Sequence, residues 1–599
     1  MQDKQYYLSF LSRRIGEVLG ITLLLALLSS HLLAADPGID RMDRESLNSD
    51  MLGEDESSPV LPPLPDLPPI PLNNAPLSSV ANITVNQFEF EGNKEFTDKE
   101  LISITQDYIG KEISAEQLQE VKNLITRRYI EKGYINSGAI IPDQKVDDNV
   151  VKIKIIEGRL LEVDVTGNES LRKAYVKERL ESEKGKALNI NELQDRLQLL
   201  QQNPRFDRIN AELGPGVKLG EGILKIDVKE ARPYHFGFKF NNHRSPSVGA
   251  YRGEIDFSHN NLTGLFGNQK GWGDTFYLRY GMTEGLKDYS LRYDFPLNRN
   301  DTTLSFHVER SDSDVVESPF NLLDVESEAD TYAVTITHPL LKKPQESFGV
   351  AVRFEKRSSK TFLLGKPFSF SPGVRDGESD LAVIRFSQDW LNRSRTHVLA
   401  ARSSFNVGVN ALESTINEDG TPDSQFFSWL GQFQWVQRLD NVFKDIDILK
   451  NSQTVFRTDL QWADQDLLPL EKFSVGGAST VRGYRENYLT RDRGLVSSLE
   501  WRIPLPKSMN VPLPWISKNP EDGRIEFAPF VDYGRSWNAD SETPGFKDIY
   551  SIGLGLRWTA IQDHVYAEVY WGKALRDIPD PEDEDLQDDG VHFEMRLQY

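Results

Sequence analysis

The chain ends on Val591-His-Phe-Glu-Met-Arg-Leu-Gln-Tyr599, a stretch in which apolar and polar residues alternate without a break. Because successive side chains of a β-strand point to opposite faces, this alternation predicts a strand with one apolar and one polar face. The same period of two is present in Ile525–Tyr533 and in Val565–Trp571. Such strands are typical of outer-membrane barrels, in which the apolar face contacts lipid and the polar face lines the lumen.

The alternation extends from about residue 230 to the end of the chain. It divides into about sixteen segments, the first near His235 and the last ending at Tyr599. The connections are short on one side and longer and polar on the other, as in barrels with short periplasmic turns and long outer loops. Short examples are Leu297–Asp301 and Ala560–Asp563, and long examples are Ser311–Asp330 and Arg357–Asp380.

Residues 232–599 are therefore predicted to form a transmembrane β-barrel of about sixteen antiparallel strands. An even number of strands places both ends of the barrel on the same side of the membrane. A soluble β-sandwich or propeller is the alternative, but the alternation shows no blade repeat.

Composition agrees with a barrel and excludes several other classes. The chain has 599 residues, 69 Lys and Arg against 91 Asp and Glu, a net charge of −22 and no cysteine. The length predicts several domains, and the missing cysteine excludes disulfide frameworks, Cys-ligated metal sites and thiol nucleophiles. The acidic balance argues against nucleic-acid binding. Mean hydropathy is −0.48, and no apolar run approaches the roughly 20 residues of a spanning helix.

The N-terminal residues 1–35 predict an export signal. Arg13 and Arg14 precede the apolar run Ile21–Leu28, and the small residues Ala34 and Ala35 follow it. This order of charged, apolar and small residues is typical of a cleavable signal peptide. A short buried helix is the alternative interpretation.

Residues 36–80 predict an extended periplasmic spacer. The segment is acidic and then rich in proline, above all in Pro62–Pro71. Each proline ring fixes φ and removes a hydrogen-bond donor, which favours a polyproline II conformation.

The next part of the chain carries an α/β pattern that occurs twice. Each unit passes from an alternating strand through a Gly-Asn pair, at 92–93 and 167–168, into amphipathic helices and a closing strand. The repeat predicts two small domains, residues 81–158 and 159–231. The predicted elements are strands at Ile83–Phe90, Val150–Ile156, Leu161–Val165 and Gly222–Val228, and helices at Asp98–Tyr108, around Leu118, Val121 and Ile125, and around Leu193, Leu197 and Leu200.

Two stretches in each unit carry a specific resemblance. Gly133–Pro142 and Val151–Arg159 resemble the first POTRA domain of two-partner secretion transporters, and Leu188–Leu197 with Gly222–Pro233 resembles the second. The resemblance to these haemolysin secretion and activation proteins implies two periplasmic POTRA domains that receive an unfolded client. An open sheet edge offers N–H and C=O groups to any extended chain. Spacer domains with covered edges are the alternative.

Members of this family often begin with a helix that plugs the barrel. Here the acidic stretch after the predicted signal contains Pro37 and Gly38. A plug helix would therefore be limited to Arg41–Met51 at most.

The connection between the predicted eleventh and twelfth strands contains Val481-Arg-Gly-Tyr484, which resembles the sixth-loop signature of the POTRA-barrel superfamily. Phe530-Val-Asp-Tyr-Gly534 resembles the inner-wall motif of the thirteenth strand. By alternation, Phe530, Asp532 and Gly534 face the lumen.

The resemblance implies that Arg482 of the loop pairs with Asp532 of the wall. A buried carboxylate is costly without a partner, and a guanidinium can bind it through two hydrogen bonds. Gly483 would allow a tight turn beside Val481 and Tyr484, and Gly534 would leave room for the loop tip. An exposed loop arginine is the alternative.

Two features near the C-terminus complete the candidate residues. Phe593 and the terminal Tyr599 resemble the aromatic signal that outer-membrane assembly machinery recognises in barrels. The stretch Asp577–Asp589 holds eight acidic residues. It is predicted to be a solvated, repulsive loop, with divalent-cation binding as the alternative, so no metal site is assigned.

No catalytic motif in the sequence supports an enzymatic function. The sequence has no Gly-x-Ser-x-Gly elbow, no His-Glu-x-x-His and no phosphate loop, so no catalytic residue and no cofactor are predicted.

The resemblance implies an outer-membrane transporter that secretes a haemolysin- or adhesin-like partner exoprotein from periplasm to cell surface without ATP. Its expected partners are that exoprotein, outer-membrane lipid and, during biogenesis, the assembly machinery, and the barrel is expected to be monomeric. The alternative within the superfamily is a factor that assembles or inserts outer-membrane proteins. A passive porin would leave the two POTRA units unexplained, and an outer-membrane phospholipase would need the missing serine elbow.

Overall fold

The computed structural model divides into two compact units. One unit holds both α/β domains and the segment Asn260–Asp274, and the other holds Tyr234–His259 and Thr275–Tyr599. The predicted signal, spacer and plug segment lie outside the described residues. Within the described part of the chain, no helix is both long and apolar enough to cross a membrane. The structure describes residues 82–181, 186–265, 270–440, 446, 452–513, 519, 522–561, 563–579 and 583–599.

The first α/β domain packs two helices against short sheets. Its elements are β1 (Asn82–Val85), β2 (Gln87–Glu91), α1 (Asp98–Thr105), a 3-10 turn (Gln106–Tyr108), β3 (Lys111–Ser114), α2 (Ala115–Glu131), β4 (Gly138–Ile140) and β5 (Val150–Ile156). Strand β5 lies between β2, which is parallel to it, and β4, which is antiparallel. The predicted helix residues Leu118, Val121 and Ile125 are all buried.

The strand predicted at residues 83–90 is wrong in one respect, because the structure splits it into two. The backbone leaves the strand at Asn86, whose N–H donates to the carbonyl oxygen of Asn149 at 2.8 Å. Strand β1 then pairs with β3, whereas β2 pairs with β5. The apolar positions shift by one residue at this break, from Ile83 and Val85 to Phe88 and Phe90, so the adjacent polar residues Asn86 and Gln87 mark it in the sequence.

The second α/β domain repeats the arrangement. Its elements are β6 (Arg159–Thr166), α3 (Lys173–Leu180), α4 (Ile190–Gln201), β7 (Phe206–Pro215) and β8 (Glu221–Glu230). Strand β8 lies between the parallel β6 and the antiparallel β7. Helix α3 and strand β7 were not predicted, because α3 is short and highly charged and the alternation of β7 is broken by a register shift between Phe206 and Arg208.

The repeated Gly-Asn pair has the same structural role in both domains. Gly92 and Gly167 have φ values of +95° and +79°, and a Cβ atom would lie 2.5 Å and 2.1 Å from a carbonyl oxygen of the closing strand. The amide groups of Asn93 and Asn168 each donate to the carbonyl oxygen three residues later. Only glycine tolerates both the left-handed backbone and this approach, which explains why the pair recurs.

The second unit is a closed antiparallel barrel of sixteen strands, and this confirms the predicted fold class. The last strand closes on the first through the register Glu594↔Asn241 to Gln598↔Gly237. The barrel strands are β9 (Tyr234–Asn241), β10 (Arg252–His259), β11 (Thr275–Met282), β12 (Leu286–Pro296), β13 (Thr303–Asp314), β14 (Val325–Lys342), β15 (Glu346–Leu363), β17 (Glu378–Arg393), β18 (His397–Val409), β19 (Phe427–Arg438), β20 (Gln453–Ala463), β23 (Arg493–Pro504), β24 (Arg524–Trp537), β25 (Asp548–Ala560), β26 (Val565–Ala574) and β27 (Val591–Gln598), and the connections contain the short strands β16 (Lys366–Pro367), β21 (Phe473–Val475) and β22 (Leu489–Arg491).

Two of the predicted long loops are shorter than expected. The connection predicted at 311–330 occupies only 315–324, and the one predicted at 357–380 occupies 364–377. At 311–314 and 357–361 the strands continue as paired backbone although both of their faces are polar. Hydropathy alternation therefore ends before the strand does.

Candidate functional site

The candidate site is built by the connection between β20 and β23, residues 464–492, here called the long loop. Strands β21 and β22 form a hairpin within it, with Phe473 opposite Arg491 and Val475 opposite Leu489. Apolar side chains of the hairpin and of the Val481-Arg-Gly-Tyr484 tip pack against inward-facing residues of the barrel wall. This cluster contains Leu430, Phe473, Val475, Val481, Tyr484, Leu489, Val496 and Ile549. The long loop is therefore folded onto the inner wall.

The structure brings together the two residues that the sequence motifs pair. The guanidinium of Arg482 binds Asp532 through both oxygens, Nε to Oδ2 and Nη2 to Oδ1, each at 2.9 Å. The backbone N–H of Arg482 also donates to Asp532 Oδ2 at 3.0 Å. Both residues are buried, at 3% and 0% exposure. The contact is a bidentate buried ion pair with a third hydrogen bond from the loop backbone.

Arg482 has further partners on the neighbouring strand. Its Nη1 donates to Glu500 Oε2 at 2.5 Å and its Nη2 donates to Ser498 Oγ at 3.1 Å. Glu500 in turn accepts from Nε of Arg502 at 2.7 Å. One loop guanidinium thus faces two wall carboxylates, and Arg502 supplies the second positive charge that balances them.

Two aromatic rings flank the guanidinium of Arg482. Its central carbon lies 3.5 Å from the ring centroid of Phe530 and 4.6 Å from that of Tyr570. Both distances fall within the range of cation–π attraction, which is strengthened when the cation is desolvated. Phe530 thus contributes directly to binding the loop arginine.

Alternation on β24 places the inner-wall motif as expected. Phe530, Asp532 and Gly534 are buried, whereas Val531 between them is 51% exposed. A Cβ atom on Gly534 would lie 2.2 Å from Val475 Cγ1 and 2.7 Å from Val481 Cγ2. The loop tip therefore occupies the space that a side chain at position 534 would need.

The rest of the tip is held by neighbouring strands. Gly483 has a φ of +91° and lies so close to β26 that a Cβ would be 2.6 Å from the carbonyl oxygen of Gly572. Its N–H donates to His592 Nε2 at 3.2 Å. The hydroxyl of Tyr484 donates to the carbonyl oxygen of Tyr550 at 3.0 Å.

A second group of contacts holds the loop just beyond the tip. Arg485 binds Asp588 through both oxygens at 2.5 and 2.7 Å, and its Nη1 donates to Glu317 at 2.5 Å. The backbone N–H of Glu486 donates to Gln587 Oε1 at 2.9 Å. Burial would lower the pKa of Arg485, but the carboxylates of Asp588 and Glu317 raise it above its ordinary value.

Asp588, which belongs to the acidic stretch predicted to be a solvated, repulsive loop, pairs instead with Arg485 of the long loop. Among the described residues, no group of three or more His, Asp or Glu side chains is arranged to hold a metal ion. Ser498, Glu500, Arg485 and Gln587 were not anticipated from the sequence. Inward-facing polar residues occur on every strand, and only the barrel register, in which Ser498 lies directly opposite Asp532, distinguishes Ser498 and Glu500. Arg485 and Gln587 lie in connections, where no strand pattern applies.

The two C-terminal aromatic residues lie on the closing strand and at its end. The ring of Phe593 on β27 lies 5.6 Å from that of Phe240 on β9. Tyr599 exchanges two backbone hydrogen bonds with Phe236, at 2.8 and 3.0 Å, and its side chain is 67% exposed. Both residues therefore lie where the last strand meets the first.

Comparison with known proteins identifies relatives over most of the chain. Residues 220–558 match the family described as haemolysin secretion/activation protein ShlB/FhaC/HecB, and residues 83–158 match the POTRA domain of ShlB type. The outer membrane transporter CdiB of Dickeya dadantii is 19% identical over 494 residues, 80% of this chain and 81% of the relative. The heme/hemopexin transporter protein HuxB of Haemophilus influenzae (strain 86-028NP) is 24% identical over 451 residues, 71% and 72% of the two chains.

Solved structures share the fold. CdiB from Escherichia coli aligns with a TM-score of 0.69 at 18% identity, over 94% of this chain and 99% of the other. BamA from Haemophilus ducreyi lacking POTRA domains 1–3 aligns with a TM-score of 0.51 at 14% identity, over 86% and 100%.

Proposed function

The chain belongs to the haemolysin secretion/activation protein family ShlB/FhaC/HecB, and from this premise we propose that it secretes one partner exoprotein through its barrel to the cell surface. Members of the family are outer-membrane transporters of the two-partner secretion type, with the barrel in the outer membrane and the POTRA domains in the periplasm. The client would be a haemolysin- or adhesin-like protein that passes through in an extended state. The long loop held on the inner wall by Arg482 is the observation that carries the proposal, because a protein-conducting pore needs a movable element in its lumen.

The lock residues are Val481, Arg482, Gly483 and Tyr484 of the loop, with Phe530, Asp532 and Gly534 as their partners on the wall. The buried ion pair holds the loop against the wall while no client is present. The entering client displaces the loop, and the pair re-forms when the client has left. Such a two-position element couples occupancy of the pore to its width.

Capture of the client begins at the sheet edges of the α/β domains. In the described residues, β2 and β4 flank β5, and β6 and β7 flank β8, so that each outer strand has a single partner. An extended client can add to such an edge through its backbone groups with little demand on its sequence. The outer strands with a single partner therefore support a role of the α/β domains in client capture rather than as spacers.

Export proceeds without ATP, and folding of the client outside the cell supplies its direction. The sequence has no phosphate-binding motif, and an outer membrane has no nucleotide supply. We expect no enzymatic activity and no cofactor. The same proposal divides the chain into a signal (1–35), a spacer (36–80), two POTRA domains (81–158 and 159–231) and a monomeric barrel (232–599). The assembly machinery would recognise Phe593 and Tyr599. The outward apolar face of the barrel would contact lipid.

Deletion of the gene tests the proposal against the alternative assembly function. We expect one large surface or secreted protein to disappear, while the other outer-membrane proteins keep their amounts by mass spectrometry. A general loss of barrel proteins would favour the assembly factor instead. The client is sought first among large, repetitive exported proteins encoded beside this gene.

Reconstitution tests the energy source. Purified transporter in lipid vesicles receives unfolded client without nucleotide, and protease protection reports translocation. We expect protection without ATP, and a client variant unable to fold should stall in the pore. Transport that starts only when ATP is added would contradict this part of the proposal.

A further inference from the structure

The long loop carries another buried charge near its start. Glu471 ends the 3-10 turn Pro469–Glu471 and is 5% exposed. Its Oε1 accepts from Nη1 of Arg357 at 2.8 Å and from Nη2 of Arg385 at 2.7 Å. Arg357 lies on β15 and Arg385 on β17, so two neighbouring wall strands bind the same loop carboxylate.

The wall at this position has more positive than negative groups. Arg385 also donates through Nε to Oε1 of Glu355 at 2.7 Å, and Arg353 donates to Oε2 of the same carboxylate at 2.5 Å. Glu355 is fully buried. Three wall arginines therefore lie around Glu355, and Glu471 from the loop supplies a further negative charge.

Backbone contacts hold the same part of the loop. Nη1 of Arg357 donates to the carbonyl oxygen of Leu470 at 2.6 Å. The side-chain amide of Gln461 on β20 donates to the carbonyl oxygen of Glu471 at 2.9 Å. The turn is thus fixed to the wall by its backbone as well as by its carboxylate.

The charges here are reversed relative to the Arg482 site. There a loop arginine binds two wall carboxylates, and here a loop carboxylate binds two wall arginines. The two wall sections are separate, because β18, β19 and β20 lie between β17 and β23 in the barrel. A loop held at both sections spans the lumen between them.

We propose that Glu471 is the second anchor of the long loop, and that the loop leaves the lumen only when the Glu471 and Arg482 ion pairs both break. The proposal rests on the function proposed above for Arg482, and it makes Glu471 a positioning residue for the pore. A buried charge that loses its partner is strongly unfavourable, so each anchor opposes release of the other. The reversed charges also prevent the loop from docking with its ends exchanged, because like charges would then meet.

A cysteine reporter measures release of the loop directly. The chain has no cysteine, and Val481 is buried against the wall at Gly534. Val481→Cys therefore gives a single thiol that a membrane-impermeant maleimide reaches when the loop leaves the wall. Labelling rates are compared in outer membranes. Only variants whose unheated barrel migrates on a gel as the folded form are included in the comparison.

Glu471→Gln keeps the shape of the side chain and removes its charge. We expect labelling of the reporter thiol to accelerate at least roughly tenfold, a change of about 1.4 kcal/mol in the opening equilibrium. The matched control is Glu254→Gln, which removes another buried wall carboxylate, paired with Arg252 at 3.1 Å on β10. The control should leave the labelling rate unchanged, and Glu471→Asp should restore slow labelling in part.

Arg482→Ala in the same reporter background separates this proposal from the lock. Faster labelling in both variants supports two anchors. Faster labelling in Arg482→Ala alone overturns the role of Glu471 and leaves the lock intact, whereas faster labelling in Glu471→Gln alone does the reverse. Unchanged labelling in both overturns both. If Glu471→Gln fails to fold, Arg385→Lys keeps the wall charge and loses the shared contact to Glu471, and labelling no faster than in the parent overturns the proposal.

Discussion

Arg482 binds Asp532 through two of its nitrogens, donates to Glu500 and contacts two aromatic rings, and only 3% of its surface is exposed. Each contact uses the planar, permanently charged guanidinium, which lysine does not offer. Removing one member of such a buried group leaves the others charged and unpaired, at a cost of about 3–5 kcal/mol. The site is therefore stable because its buried charges have partners of opposite sign.

We predict that Arg482→Ala leaves the barrel inserted in the outer membrane but lowers export of the client at least about tenfold, because a loop freed from its buried partner loses its position. Secreted client is measured by immunoblot against the amount of folded barrel. The control is Arg310→Ala, which removes a half-exposed arginine paired with Asp312 on β13. Normal export by a stably inserted Arg482→Ala variant would contradict the lock.

Gly534 tests the fit between loop and wall independently of charge. Gly534→Ala places a methyl group within 2.2 Å of Val475, and overpacking of this kind typically costs about 1–3 kcal/mol. We expect reduced export, with partial recovery in the double variant Gly534→Ala/Val475→Ala. Gly253→Ala is the control, because a Cβ there meets nothing within 4 Å. Equal export by the Gly534 and Gly253 variants would show that the loop does not need this fit.

At the scale of the element, the Gly-Asn turns explain why the two α/β domains share a pattern with little shared sequence. In each, a carboxylate just beyond or at the end of the closing strand accepts backbone N–H groups of the segment after the turn, Glu157 in the first domain and Glu230 in the second. The turn therefore joins the first strand to the closing strand. What the two domains have in common is therefore this connection between the first strand and the closing strand.

We predict that Gly167→Ala destabilises the second domain, because the new Cβ would lie 2.1 Å from the carbonyl oxygen of Val228 in a left-handed conformation. Limited proteolysis of the full-length protein should cut this domain faster. Gly214→Ala on β7 is the matched control, since its nearest neighbour would be 3.9 Å away. Indistinguishable digestion of the two variants would refute the role of the turn.

At the scale of the whole chain, closure of the barrel depends on the last strand meeting the first. The pairing of β27 with β9 runs over Gly237–Asn241, and Tyr599 extends it through its backbone bonds to Phe236. The ring of Tyr599 contributes little to this, because most of its surface is exposed. Backbone and side chain at this position thus have separable roles.

If the assembly machinery recognises the aromatic ring of Tyr599, we predict that Tyr599→Ala lowers the amount of barrel in the outer membrane several-fold. Barrels that do insert should remain heat-resistant, because the backbone hydrogen bonds of residue 599 persist. Deletion of Tyr599 removes both contributions and should also lower the resistance of inserted barrels. The amount of protein and its heat-modified mobility are compared on gels. An unchanged amount of Tyr599→Ala barrel would remove position 599 from the assembly signal.

The extent of sequence-based prediction differs among these features. The strands of the barrel, the helices α2 and α4 and the motif residues follow from local patterns and resemblance. Helix α3 and the ends of β13 to β17 did not follow, because hydropathy does not record where backbone pairing starts or stops. The split at Asn86 was missed although the adjacent polar residues Asn86 and Gln87 interrupt the alternation there. Glu500 was missed because inward-facing polar residues occur on every strand. Gln587 and Glu471 were missed because they lie in connections, whose contacts the strand pattern does not predict.

The period-two alternation by itself determined a barrel, its approximate strand number and which side chains face inward, because side-chain direction in a strand depends only on position along the chain. Only the tertiary structure decided which inward charges meet, because pairing across the lumen depends on barrel register and on where a distant loop returns to the wall. Two groups of ion pairs show this, Arg482 with Asp532 and Glu471 with Arg357 and Arg385. Their members lie far apart in sequence and meet only because the long loop returns to the wall of the closed barrel.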